Sequence, residues 1–176
     1  MIARLGLAAP LVALALAACA GSSLDIPPCT TPVPLALSDG AGWGLQTREY
    51  IGHVEAGAVQ LQVLSEDFTD RWPARELSND ARFRSDFAAY ASAAQCNAEA
   101  LRDLSPPDWA ALGADADTVA QMGAFDEARA RLMREYEEVT QLGIKAVGTR
   151  NKSDFRRWER REREVAQELA DTFGSP

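Results

Sequence analysis

Histidine is almost missing from this 176-residue chain, with His53 standing alone, and that scarcity removes several kinds of chemistry at once. A carboxylate dimetal site in a helical bundle needs a Glu-x-x-His on each of two helices. Covalent haem needs Cys-x-x-Cys-His, and a structural zinc wants about four Cys or His ligands. None of these can be assembled from one histidine and the dispersed Cys19, Cys29 and Cys96, so no metal or cofactor is expected. The Gly-x-Ser-x-Gly elbow of a serine nucleophile and the Gly-rich phosphate loop are missing too. An excess of positive charge is also lacking: 18 Lys and Arg face 26 Asp and Glu, for a net charge of −8. Such a surface is repelled by nucleic acid and by anionic headgroups, and no nucleic-acid partner is expected. Finally, the longest apolar run is about 14 residues, interrupted by Pro10, short of the ~20 that a bilayer-spanning helix requires.

What is present begins at the N-terminus. Residues 1–18 combine a short basic region (Met1 and Arg4), the apolar stretch LGLAAPLVALALAA and a small-residue boundary, the layout of a secretory signal peptide. Its ending, Leu16, Ala17, Ala18 and Cys19, resembles a bacterial lipobox. That resemblance implies cleavage just before Cys19, lipid on its sulfur and acylation of the new amino group. Each buried acyl CH₂ adds roughly 0.8 kcal/mol of membrane affinity, so two or three chains anchor durably. The residue after Cys19 is Ala20 rather than an aspartate, which, for a lipoprotein of this kind, leans toward the outer membrane, with the domain facing the periplasm. The alternative is an ordinary cleaved signal with a coincidental cysteine. Removing residues 1–18 takes away only Arg4, leaving the mature charge at −9.

With Cys19 lipidated, Cys29 and Cys96 remain as an even pair in an oxidising compartment. A bridge is expected, with two free thiols as the alternative, and its loop of about 67 residues would contribute roughly 4 kcal/mol in the chain-entropy model. Residues 19–44 are rich in Pro, Ser, Thr and Gly and read as an extended tether. Residues 45–176 are then enough for one compact domain.

Within that domain, apolar residues recur at helical spacing. Ile51, Val54, Ala58, Leu61, Leu64 and Phe68 predict a first helix over 45–69, in spite of Gly52 and Gly57. Phe83, Phe87, Tyr90, Ala94, Asn97, Leu101 and Leu104 predict a second, capped by Ser78, Asn79 or Asp80 and ended by Pro106 and Pro107, with Ser105 available to cap a short turn from Trp109 to Leu112. A third runs from about Asp115 to Val147 with a possible break at Gly123, and a fourth, capped by Asn151 or Ser153, carries Phe155, Trp158, Val165, Leu169 and Phe173 and stops at Gly174. Short connections between four amphipathic helices predict an all-α fold, a small antiparallel four-helix bundle.

The candidate sites are few. His53 sits beside an apolar stripe, as a boundary histidine would. Asp115 with Asp117, and Glu135 with Glu137 and Glu138, read as solvated acidic faces, the first pair also suiting a helix N-terminus. The one departure from acidity is RNKSDFRRWERRER, residues 150–163, with seven basic and three acidic residues. Arg156, Arg157, Arg160 and Arg161 around Trp158 form a candidate interaction surface, because guanidinium groups suit carboxylates and phosphates. The competing reading is a solvated helix laced by Glu159 with Arg163 and Arg160 with Glu164, or bridged to Glu137 and Glu138. Asn97 and Glu162 interrupt their stripes and either set helix register or line a small polar pocket. The function expected from all this is non-catalytic: an envelope lipoprotein acting as adaptor or accessory subunit, attached to the membrane through lipid, with an acidic envelope protein or polymer as possible partner. The alternative is a binder of an apolar small molecule or lipid, held near Phe83, Phe87, Tyr90 and Tyr136.

Overall fold

The structure, a computed structural model, describes residues 42–73 and 80–173. The expected signal peptide, most of the tether, Cys19, Cys29, Ser78, Asn79 and Gly174 lie outside the described residues. Among those described there are four helices and no strand: α1 (Trp43–Arg71), α2 (Ala81–Arg102), α3 (Ala116–Thr149) and α4 (Lys152–Phe173). The expected all-α bundle is what the chain forms.

The helix boundaries follow from the caps. Asp80 accepts from the Arg82 amide at 2.8 Å and opens α2, while Asp115 accepts from the Thr118 amide at 2.7 Å and opens α3. Each satisfies a donor that the first turn leaves open. The bond to the Thr118 amide holds the Asp115 carboxyl below its ordinary range. Arg150 ends α3 in a left-handed conformation (φ 53°), with the Asn151 amide returning to the Ala146 carbonyl at 3.1 Å, the arrangement that usually employs glycine. Asn151 then caps α4, its Oδ1 accepting from the amides of Ser153 and Asp154. In the α2–α3 connection it is Asp108 rather than Ser105 that caps the turn, accepting from the Ala111 amide, and Gly113 takes the positive φ of 86° that the turn requires. Gly123 does not break α3, which is continuous through it.

Neighbouring helices are antiparallel. Phe68, near the end of α1, packs on Phe83 near the start of α2 and on Trp158 near the start of α4, with ring centroids 6.0 and 6.3 Å apart. At the opposite end Tyr50 of α1 meets Trp109 and Phe125, and Phe125 meets Phe173 at the end of α4. The helices therefore run alternately up and down in a ring, each packing against the next, with α4 closing on α1. Phe68, Phe83, Phe87, Tyr90, Phe155 and Trp158 form a continuous aromatic core in one half of the bundle. Full burial of such side chains contributes ~1.5–3 kcal/mol each. The core admits Trp158 because α3 presents Gly143 to it: a Cβ there would lie 2.7 Å from the indole nitrogen and 2.9 Å from Phe87.

Candidate functional site

Among the described residues, two groups of buried polar side chains join several helices or close a helix end, Asp86 of α2 is buried apart from them and accepts from Arg71 and Trp72 at the end of α1, and one charged strip lies on the surface. The first buried group sits among the aromatic rings. Glu162 of α4 accepts a short hydrogen bond from the Ser65 hydroxyl of α1 and a longer one, at 3.5 Å, from the Tyr90 hydroxyl of α2. Tyr90 lies 3.3 Å from the Tyr136 hydroxyl of α3. Each of the four helices supplies one member, and all four residues are buried. Sliding any helix by one turn, ~5.4 Å, would pull its member out and strand the others. Of the two sequence readings of Glu162, this geometry is a register device. Asn97 does not join it: its Nδ2 donates to the Ala93 carbonyl of its own helix at 2.8 Å.

The second group lies at the end where α1 begins. Arg129 of α3 donates through Nε and Nη2 to Asp126 Oδ1, at 2.9 and 2.7 Å, and through Nη1 to the Leu101 and Arg102 carbonyls that close α2. Asp126 also accepts from the Tyr50 hydroxyl. Burial, and then the bond to Asp126, push the Tyr50 phenol well above its ordinary range. Neither Arg129 nor Asp126 was singled out by the sequence reading. The available signal was spacing, since Arg129 occupies a stripe position between Met122 and Phe125 on one side and Leu132 and Tyr136 on the other.

The arginine-rich strip of α4 is divided by its surroundings. Trp158 is 1 % exposed, so it belongs to the core and not to the interaction surface expected of it. Arg157 pairs with Asp154 at 2.9 Å; Arg161 pairs with Glu164 at 2.8 Å and reaches Glu135 of α3 at 3.8 Å. The bridge to α3 thus forms through Glu135, while Glu137 is taken by Arg102 of α2 at 2.5 Å. Burial still leaves the Glu137 carboxyl above its ordinary range. The pairs expected at spacing four are replaced: Arg163 donates instead to the Glu159 carbonyl, at 3.1 Å. Arg156 and Arg160 are exposed, and among the described residues no carboxylate pairs with either.

The remaining candidates fall in ordinary places. His53 is partly exposed at the edge of α1, and Asp115 and Asp117 occupy the start of α3. Cys96 on α2 is one half of a disulfide whose other half lies outside the described residues. Phe83, Phe87, Tyr90 and Tyr136, the expected lining of a ligand pocket, are at most 2 % exposed and pack as core. Among the described residues no group of three or more His, Cys, Asp or Glu side chains is placed to hold a metal ion, and no helix is long and apolar enough to cross a membrane. No protein-family model matches the chain, and no curated protein or solved structure is detectably similar to it.

Proposed function

We propose that this chain is a bacterial envelope lipoprotein whose helical domain works without catalysis, as an adaptor or accessory subunit docking a partner in the envelope. Lipid on Cys19 supplies the attachment, the residues between Cys19 and α1 give the domain reach from the membrane, and Ala20 in place of an aspartate after Cys19 favours the outer membrane. With Cys19 committed to lipid, Cys29 is the thiol left to complete the disulfide of Cys96 and so to tie the tether to α2. The observation that carries the docking role is the exposure of Arg156 and Arg160 on a chain that is otherwise acidic. Exposed guanidinium groups are matched to carboxylate partners.

The test is in-cell crosslinking of the intact chain followed by mass spectrometry of its neighbours, with a palmitate analogue supplied to the same cells. One abundant, reproducible protein neighbour and analogue incorporation that disappears in Cys19→Ala are the expected results. A chain that stays unlabelled overturns the anchor, and a chain with no specific neighbour overturns the adaptor role.

A further inference from the structure

Two features on the same side of α4 have separate chemistry. One is a small open groove between α1 and α4, lined by Ala58, Val59, Gln62, Leu169, Ala170 and Phe173. Only Gln62 is polar among these six. The other is a row of cations. Lys152, Arg156, Arg160 and Arg163 are spaced by four, four and three residues and are all exposed, so at 3.6 residues per turn they form one line along the helix, ~16 Å long. Arg156, Arg163 and Ala170 stand seven residues apart in turn, which is two helical turns. The row therefore continues, along the same flank of α4, into the apolar groove. Arg157 and Arg161 are on the other flank, turned to α3 and occupied by Asp154, Glu164 and Glu135.

We infer that this flank is a two-part docking groove for an acidic protein segment with an apolar anchor, in which the anchor side chain seats between α1 and α4 and the carboxylates lie over Lys152, Arg156, Arg160 and Arg163. The inference rests on the adaptor reading and names its surface and the chemistry of its partner. Charge alone would suit any polyanion. The groove favours a protein segment over a charged or sugar polymer, because an apolar side chain gains by leaving water there while such a polymer has none to place. Val59 and Val63, 47 % and 46 % exposed, extend the apolar surface along α1. Glu66, held by Gln62 at 3.1 Å, and Asp70 lie further along α1 and repel an acidic segment from that helix. They confine its carboxylates to α4, and so give the bound segment a direction.

The experiment places photoreactive benzoylphenylalanine in the full-length chain in cells, at Gln167 between the cation row and the groove, and separately at Val63. Gln141, which bonds Gln95 across the α2–α3 side, serves as the control position. Positions 167 and 63 are expected to capture the same protein, through peptides that sequencing shows to hold acidic residues next to an apolar one, and position 141 is not. The combined Arg156→Glu and Arg160→Glu change should lower capture at least tenfold, whereas Arg157→Glu with Arg161→Glu should change it less than twofold. No adduct at either position, capture indifferent to the first pair of changes, equal loss from both pairs, or a protease-resistant polymer adduct would each overturn the groove. General crosslinking of the unaltered chain in the same cells separates the two claims: a specific protein neighbour without capture at 167 or 63 removes the groove and leaves the adaptor reading, and no specific neighbour removes both.

Discussion

Arg129 and Glu162 are each 2 % exposed, yet the bundle accommodates them in opposite ways. Arg129 sits at the end of α2, where its guanidinium takes up the Leu101 and Arg102 carbonyls and a carboxylate from its own helix. The last carbonyls of a helix lack intrahelical donors and carry its negative pole, so a cation there meets acceptors that would otherwise need water. Glu162 lies far from any helix end, held by hydroxyls donated from α1 and α2. These two buried side chains are thus accommodated differently, Arg129 by closing a helix terminus and Glu162 by joining several helices at one level. The first arrangement secures one end of the bundle; the second sets how the four helices align.

The comparison can be tested by removing each charge. Arg129→Met leaves the half-buried Asp126 without its cation and two helix-end carbonyls open, and is expected to lower unfolding free energy in urea by about 3–5 kcal/mol. Glu162→Leu removes an acceptor from neutral hydroxyls and should cost less, about 1–3 kcal/mol. The reverse order would show that the central set, not the end, carries more of the stability. Close to that set, Gly143→Ala drives a methyl into the Trp158 indole and should cost about 1–3 kcal/mol, read from the same unfolding curves.

At the Arg129 end, Tyr50→Phe should cost about 1 kcal/mol near neutral pH by deleting the bond to Asp126. Because the folded Tyr50 pKa is raised, its contribution is complete below the unfolded value near ~10 and is lost as pH climbs above it. The urea midpoint of the unaltered chain should accordingly fall more steeply between about pH 9 and 11 than that of Tyr50→Phe. Equal slopes would mean that Tyr50 does not feel its burial. The smallest effect is expected at Gly123, where a Cβ meets nothing within 4 Å; Gly123→Ala should stabilise the chain by up to ~1 kcal/mol.

Much of the architecture was legible because amphipathic spacing and capping chemistry are local. The stripes of Val54, Leu61 and Phe68, or of Phe155, Val165 and Leu169, marked the buried faces, and the run Ser78 to Asp80, Asp115, and Asn151 or Ser153 marked three helix starts, at which Asp80, Asp115 and Asn151 are the caps. Gly123 suggested a break that α3 does not make, since one glycine costs only ~1 kcal/mol against a stripe that continues to either side. The candidate surface was legible only in part. Trp158 counted both in the apolar stripe and, because arginines flank it, in the candidate surface, and its burial at 1 % exposure keeps only the first.

By itself, the sequence determined the four helices, their order and buried faces, because each depends on residues three or four apart and on a few capping side chains. The tertiary structure alone decided that Ser65, Tyr90, Tyr136 and Glu162 meet, that Arg129 closes α2, and that Arg161 reaches Glu135 while, among the described residues, no carboxylate of another helix pairs with Arg156 or Arg160. Those outcomes depend on which helix lies beside which flank, and the partners concerned, such as Ser65 and Glu162 or Glu135 and Arg161, come together only once the bundle has closed.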